Sequence, residues 1–178
     1  AASFITQLQT IVSREIAPTD PAVVSIGKIE GGTARNIIAD EVRLSGGVRG
    51  QSTEVMERVG ETMGRLLDGI KAGMRVDYEL DYRVAVPVLR NDHAILDRVL
   101  DSARDILGDE NVELLDYSSM GSEDLSYFTE RFPSAHLRIG SKIDGLDTML
   151  HKANYDCNEV AIPTGVRAIS QAAADLLA

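Results

Sequence analysis

The chain has 178 residues, 44% hydrophobic and 26% charged, with a formal net charge of 18 − 28 = −10, the profile of a soluble globular protein of one medium domain or two small ones. A pI near 4.7, the lack of tryptophan and the lack of any apolar run near the roughly 20 residues that a bilayer requires argue against a nucleic-acid surface, a base-stacking platform and a transmembrane protein. Cys157 is the single cysteine, so an internal disulfide and a Cys-rich zinc site are excluded; with no signal-peptide pattern in Ala1-Ala2-Ser3-Phe4, a cytoplasmic protein is expected.

Phe4, Ile5, Leu8, Ile11, Val12 and Ile16 recur on one helical face, which predicts a helix over 4–16 with Ser3 as N-cap and Pro18 as its stop. Ala22 to Lys28, bounded by Pro21 and Gly31-Gly32, predicts a strand. A second strand region runs from Ile37-Ile38 to Val48, with Val42, Leu44 and Val48 on alternate positions. Val55, Val59, Met63, Leu66 and Ile70 predict a long amphipathic helix capped by Ser52 or Thr53; Gly60, Gly64, Gly69 and Gly73 weaken its propensity, so packing must hold it. Val76, Tyr78, Leu80, Tyr82 and Val84 alternate as in a strand over 75–84.

Pro87 and Asn91-Asp92 punctuate the chain. Helices are then expected over 94–107, ending at Gly108, over 123–130 with Ser122 as cap, and over 162–177; short strands over 112–115 and 135–139; and a loop over 140–149. Residues 1–84 thus read α-β-β-α-β, an α+β sandwich with two helices on one face of an antiparallel sheet. A β-α-β-β-α-β unit has one strand more, ahead of Phe4, so the chain reads as starting inside a domain. The expected division is 1–85 and 86–178. Residues 1–85 hold 10 basic and 12 acidic side chains (10 − 12 = −2), and the remainder holds 8 and 16 (8 − 16 = −8). That acidic half is either a solvated face or the surroundings of a cation, and composition does not separate the two.

Few residues invite chemistry. His93 opens a helix and His136 lies within a predicted strand, whereas His151 sits on a loop ahead of a polar segment, where an imidazole is accessible to a metal. One histidine is not a site, however. Gly121-Ser122-Glu123-Asp124 sets two carboxylates at a helix start, either as complements of the helix dipole or as support for a metal shell. Gly31-Gly32-Thr33-Ala34-Arg35-Asn36 joins two strands and presents Arg35 and Asn36, with Arg49 at the far end of the next strand. Arg forks onto a carboxylate, and Asn both donates and accepts. No phosphate loop and no nucleophile triad is present.

In order, Leu8-Gln9-Thr10-Ile11-Val12-Ser13-Arg14, Gly31 to Ile38, Val48-Arg49, Pro87 with Asn91, Met120-Gly121-Ser122-Glu123-Asp124 and Leu150-His151 resemble the M20 family of metallopeptidases and amidohydrolases, in its N-acyl amino acid amidohydrolase branch. The resemblance covers essentially the whole chain. It implies an α+β lid domain over 1–85, a two-layer antiparallel sheet with two helices, lacking its first strand. The C-terminal part of an α/β zinc-peptidase-like catalytic domain would follow over 86–178. It also implies His151 as a metal ligand, Asn36 and a neighbouring Arg49 as substrate-binding residues, and Glu123 and Asp124 as support in the metal cleft. Two divalent metals (Zn, Mn or Co) would activate a water for hydrolysis of a small N-acyl amino acid or peptide, in a homodimer joined through the lid.

Departures from the family pattern are Ala39 in place of a proline and Lys152 after the histidine. The His-x-Asp motif, the Glu-Glu pair with the general base and a lid-strand histidine are absent, so no catalytic residue is expected in this chain and the metal site would be incomplete. Two readings follow: part of a metal-dependent amidohydrolase, inactive alone, or a free-standing, non-catalytic dimerisation module derived from the lid.

Overall fold

The computed structural model describes residues 1–147 and 150–178. They form two compact units: Ala1–Val88 with Ser118–Glu123, and Leu89–Tyr117 with Asp124–Ala178.

The first unit starts with α1 (Ala2–Thr10), one residue ahead of Ser3, so Ser3 lies inside the helix and does not cap it. The helix continues as a wider π turn over Ile11–Glu15, closed by a bond from the Ile16 N–H to the Ile11 carbonyl at 3.1 Å. That extra residue per turn brings Ile16 back into the core just before Pro18 stops the helix. Strands β1 (Ala22–Gly31) and β2 (Val42–Gly50) pair antiparallel, with Val24 opposite Val48 and Ile29 opposite Leu44. Gly27 is the extra residue of a bulge between Ile26 and Lys28. Opposite Ile26, a side chain at Gly46 would stand 2.1 Å from the Ser25 carbonyl oxygen, so only glycine fits there.

Ile37 and Ile38, expected in the second strand, lie instead in the connection ahead of β2, 59% and 93% exposed. Gly32 (φ +80°) and a turn closed by the Ile37 N–H on the Ala34 carbonyl, 3.2 Å, carry the chain around before pairing begins.

Helix α2 (Thr53–Met74) is capped by Ser52, whose side chain accepts from the Val55 N–H at 3.1 Å. Its apolar face (Val55, Val59, Met63, Ile70) joins Phe4, Leu8, Ile11 and Ile16 over the inner residues of the hairpin in one core. Leu8, Ile11 and Val59 are fully buried, each such side chain contributing about 1.5–3 kcal/mol. Residues 75–84, expected as a strand, form no ladder. Alternation specifies a face; pairing also needs a neighbouring strand, and none lies alongside among the described residues.

In the second unit, α3 (His93–Leu107) is capped by Asp92, which accepts from the Ile95 N–H at 3.0 Å, and ends at Gly108 with φ +90°. A short 3-10 turn (Asp109–Asn111) follows. Helix α5 (Ala161–Leu177) packs against α3, burying the small Ala168 and Ala172, while its Gly165 lies against the Ile139 side chain. The Ser102 hydroxyl donates to Asp175 Oδ2 at 2.6 Å, and Arg167 to the Ile106 carbonyl at 2.7 Å.

The helix expected over 123–130 shrinks to α4 (Ser126–Thr129), without a side-chain cap. Asp124 and Leu125 form a turn, so Ser122 falls four residues ahead of the helix. Residues 112–115 and 135–139, expected as strands, make no ladder either, for the reason that applies to 75–84. Within the expected loop over 140–149, Thr148 and Met149 lie outside the described residues. Among the described residues no helix is long and apolar enough to cross a membrane.

Candidate functional site

Asn36 stands exposed in the turn at the tip of the β1–β2 hairpin. Arg49 is the second-last residue of β2, paired with Val23 near the other end. From Val42 to Arg49 the strand advances seven residues, about 23 Å at 3.3 Å each. The hairpin thus holds Asn36 and Arg49 at opposite ends, and the expected neighbourhood of the two does not form within this chain. The Arg49 guanidinium instead donates from Nη1 to the Met120 carbonyl at 2.5 Å. This bond fastens Ser118–Glu123 to the strand, and the local kink of that segment is held by the Gly121 N–H on Ser119 Oγ at 3.1 Å.

Glu123 and Asp124 are both exposed. Glu123 closes the segment that folds with the first unit, and Asp124 opens the return to the second. The Asp124 carbonyl accepts from the Tyr127 N–H at 3.2 Å, the first turn toward α4.

His151 is exposed in a turn with φ +68°, the left-handed region that a non-glycine residue adopts only at some cost. Its imidazole is therefore presented to solvent by a backbone that does not relax into helix or strand. Lys152 and Asn154 beside it are exposed as well. His93, in the first turn of α3, is exposed. His136 is half-buried, and its backbone N–H donates to Asn91 Oδ1 at 2.8 Å, which ties the 135–139 segment to the start of α3. Among the described residues no three His, Cys, Asp or Glu side chains come together to hold a metal. The donor set does not fit a resident metal pair by itself, since each zinc-like ion takes about four donors.

Sequence reasoning missed two anchors. The bond from Arg49 to Met120 joins residues 71 apart in sequence, and no local pattern announces it. Tyr82 is the other: its hydroxyl donates to the Met56 carbonyl at 2.5 Å, and its ring covers Gly60. A glycine within a helix was the available signal, because it marks a close approach.

Against known proteins, the profile described as Peptidase family M20/M25/M40 matches residues 9–175. A protein of Synechocystis sp. named a probable hydrolase is 35% identical over 97% of this chain and 44% of its own length. An N-acetyldiaminopimelate deacetylase of Geobacillus sp. is 34% identical over 93% of this chain and 43% of its own length. Among solved structures, a Bacillus subtilis protein described as a dinuclear metal binding peptidase superposes with a TM-score of 0.79 at 25% identity, covering 99% of this chain and 45% of that one. The chain thus spans less than half the length of each of these relatives.

Proposed function

The chain belongs to peptidase family M20/M25/M40, and on that premise we propose that it forms part of a metal-dependent amidohydrolase cleaving the amide bond of a small N-acyl amino acid or peptide. Residues 1–85 serve as its lid and 86–178 as the C-terminal part of its catalytic domain. When bound, two divalent ions supply a water activated for attack on the acyl carbonyl.

This chain's own residues have narrower tasks. His151 offers one imidazole donor, and Glu123 and Asp124 support the cleft. Asn36, on its exposed turn, meets the substrate carboxylate or the scissile region. Arg49 acts at a separate place, where its guanidinium shares a fork with the Met120 carbonyl and leaves donors for an anion. The hairpin separates Asn36 from Arg49, so both can touch one substrate only when each comes from a different copy. This supports a homodimer joined through the lid.

The observation that carries the reading is the match over residues 9–175 together with a donor set of one candidate histidine. Metal content measured on the purified chain tests it. We expect fewer than two tightly bound divalent ions and no hydrolysis of an N-acyl amino acid by the chain alone. Two tight ions with turnover would overturn the incomplete-centre reading, and metal binding untouched by His151→Ala would remove that residue from the site.

A further inference from the structure

The side chain of Arg49 is fixed at both ends. Its backbone is set by the β1–β2 ladder, opposite Val23 and one residue short of the end of β2. Its head is set by the bond from Nη1 to the Met120 carbonyl at 2.5 Å. A free arginine has many rotamers, and a guanidinium tied at one nitrogen has given up most of them before any ligand arrives.

The tie uses only part of the group. Nη1 stands on the Cδ side of the guanidinium, so the edge formed by the Nε and Nη2 N–H groups stays open, and that edge takes both oxygens of a carboxylate side by side. Among the described residues Arg49 makes no other side-chain hydrogen bond and no ion pair, and it is exposed. A carboxylate therefore has no need to displace Met120: the neutral carbonyl and the anion fit different sides of one planar group.

At the far end of the tie is a segment without regular structure. Ser118–Glu123 lies in neither helix nor strand, and its chain neighbours on both sides belong to the second unit. The Gly121 N–H on Ser119 Oγ, 3.1 Å, shapes the turn that offers the Met120 carbonyl. A segment of this kind opens at low cost. Open, it leaves the guanidinium free to change rotamer; closed, it aims it.

We infer that Arg49 and the Met120 carbonyl couple the recognition of a carboxylate to the order of residues 118–123. A carboxylate seated on the Nε–Nη2 edge closes the segment that runs into Glu123, and the closed segment aims the guanidinium at the carboxylate. Linkage makes the two effects equal in size. This coupling rests on the reading of Arg49 as an anion-binding residue and adds a positioning role for the Met120 peptide, which touches Arg49 and not the anion.

The test takes the full chain with N-acetylglycine, a small N-acyl amino acid, and with N-acetylglycinamide, its uncharged amide, at constant ionic strength. Binding is read by isothermal titration calorimetry, and opening by amide hydrogen exchange with mass spectrometry. Saturating N-acetylglycine should slow exchange in 118–123 about fivefold or more and leave 161–177 unchanged, and the amide should slow neither. Arg49→Lys keeps the charge and a donor for the Met120 carbonyl but has no planar fork. In that variant exchange without ligand should stay near the parent's, while the slowing by N-acetylglycine should be lost. N-acetylglycine bound with 118–123 unslowed, or exchanging faster, would overturn the coupling and leave the anion-binding reading standing. Slowing that persists in Arg49→Lys would overturn the coupling as well. No binding by the parent would overturn both.

Discussion

Gly60 and Tyr82 are matched by subtraction: a Cβ at Gly60 would stand 2.5 Å from the tyrosine ring, so the ring lies where that side chain would have been. Gly64, one turn on, meets nothing within 4 Å. Replacement by alanine should therefore have opposite effects at the two sites. Gly60→Ala should lose roughly 1–3 kcal/mol by overpacking, whereas Gly64→Ala should gain about 0.8 kcal/mol from helix propensity alone. Urea unfolding of the two variants against the parent reads both signs.

Burial, and then the charge of Glu57, raises the pKa of the Tyr82 phenol above the ordinary 10.0. A phenol with a higher pKa in the folded state favours folding while it is neutral. That contribution is complete below the unfolded value and is lost as pH rises through the folded one. Stability should therefore fall more steeply above about pH 10 in the parent than in Tyr82→Phe, measured by urea midpoints between pH 8 and 11.5.

Arg75 ends α2 in the left-handed conformation, φ 54°, with its N–H on the Lys71 carbonyl at 3.0 Å. Only glycine takes that conformation without cost. Arg75→Gly should raise stability by about 0.5–1 kcal/mol, visible as a higher unfolding midpoint with an unchanged denaturant slope.

Two buried serines should answer alanine in opposite directions. The Ser102 hydroxyl donates to the Asp175 carboxylate at 2.6 Å, a charge-assisted bond whose loss costs roughly 1.5–3 kcal/mol. The Ser126 hydroxyl is fully buried and has no hydrogen-bond partner among the described residues. Ser126→Ala should be neutral or stabilising by up to about 1 kcal/mol, and thermal unfolding of both variants decides the pair.

The helices were legible because their period is local: Val55, Val59, Met63 and Ile70 do face one core, and Ser52 does cap α2. The hairpin was legible from Val24 and Val48 on either side of a glycine-bearing turn, though its strand began four residues later than Ile38. Residues 75–84, 112–115 and 135–139 carry strand composition without a ladder, because a ladder depends on a partner that no window of sequence contains. At the candidate site, a strand between Gly31 and Arg49 already implied that Asn36 and Arg49 lie apart. The grip of Arg49 on Met120 did not show, since it depends on how distant segments fold back.

Covalent connectivity sets a limit on dissecting this molecule. The chain leaves the first unit after Val88, re-enters it at Ser118 and leaves again after Glu123. No single proteolytic cut can release either unit whole, and a fragment ending at Val88 would strip Arg49 of its Met120 acceptor. An excised first unit must carry residues 118–123 on a shortened linker, and a nick within 89–117 will leave two pieces that each hold part of the other's fold.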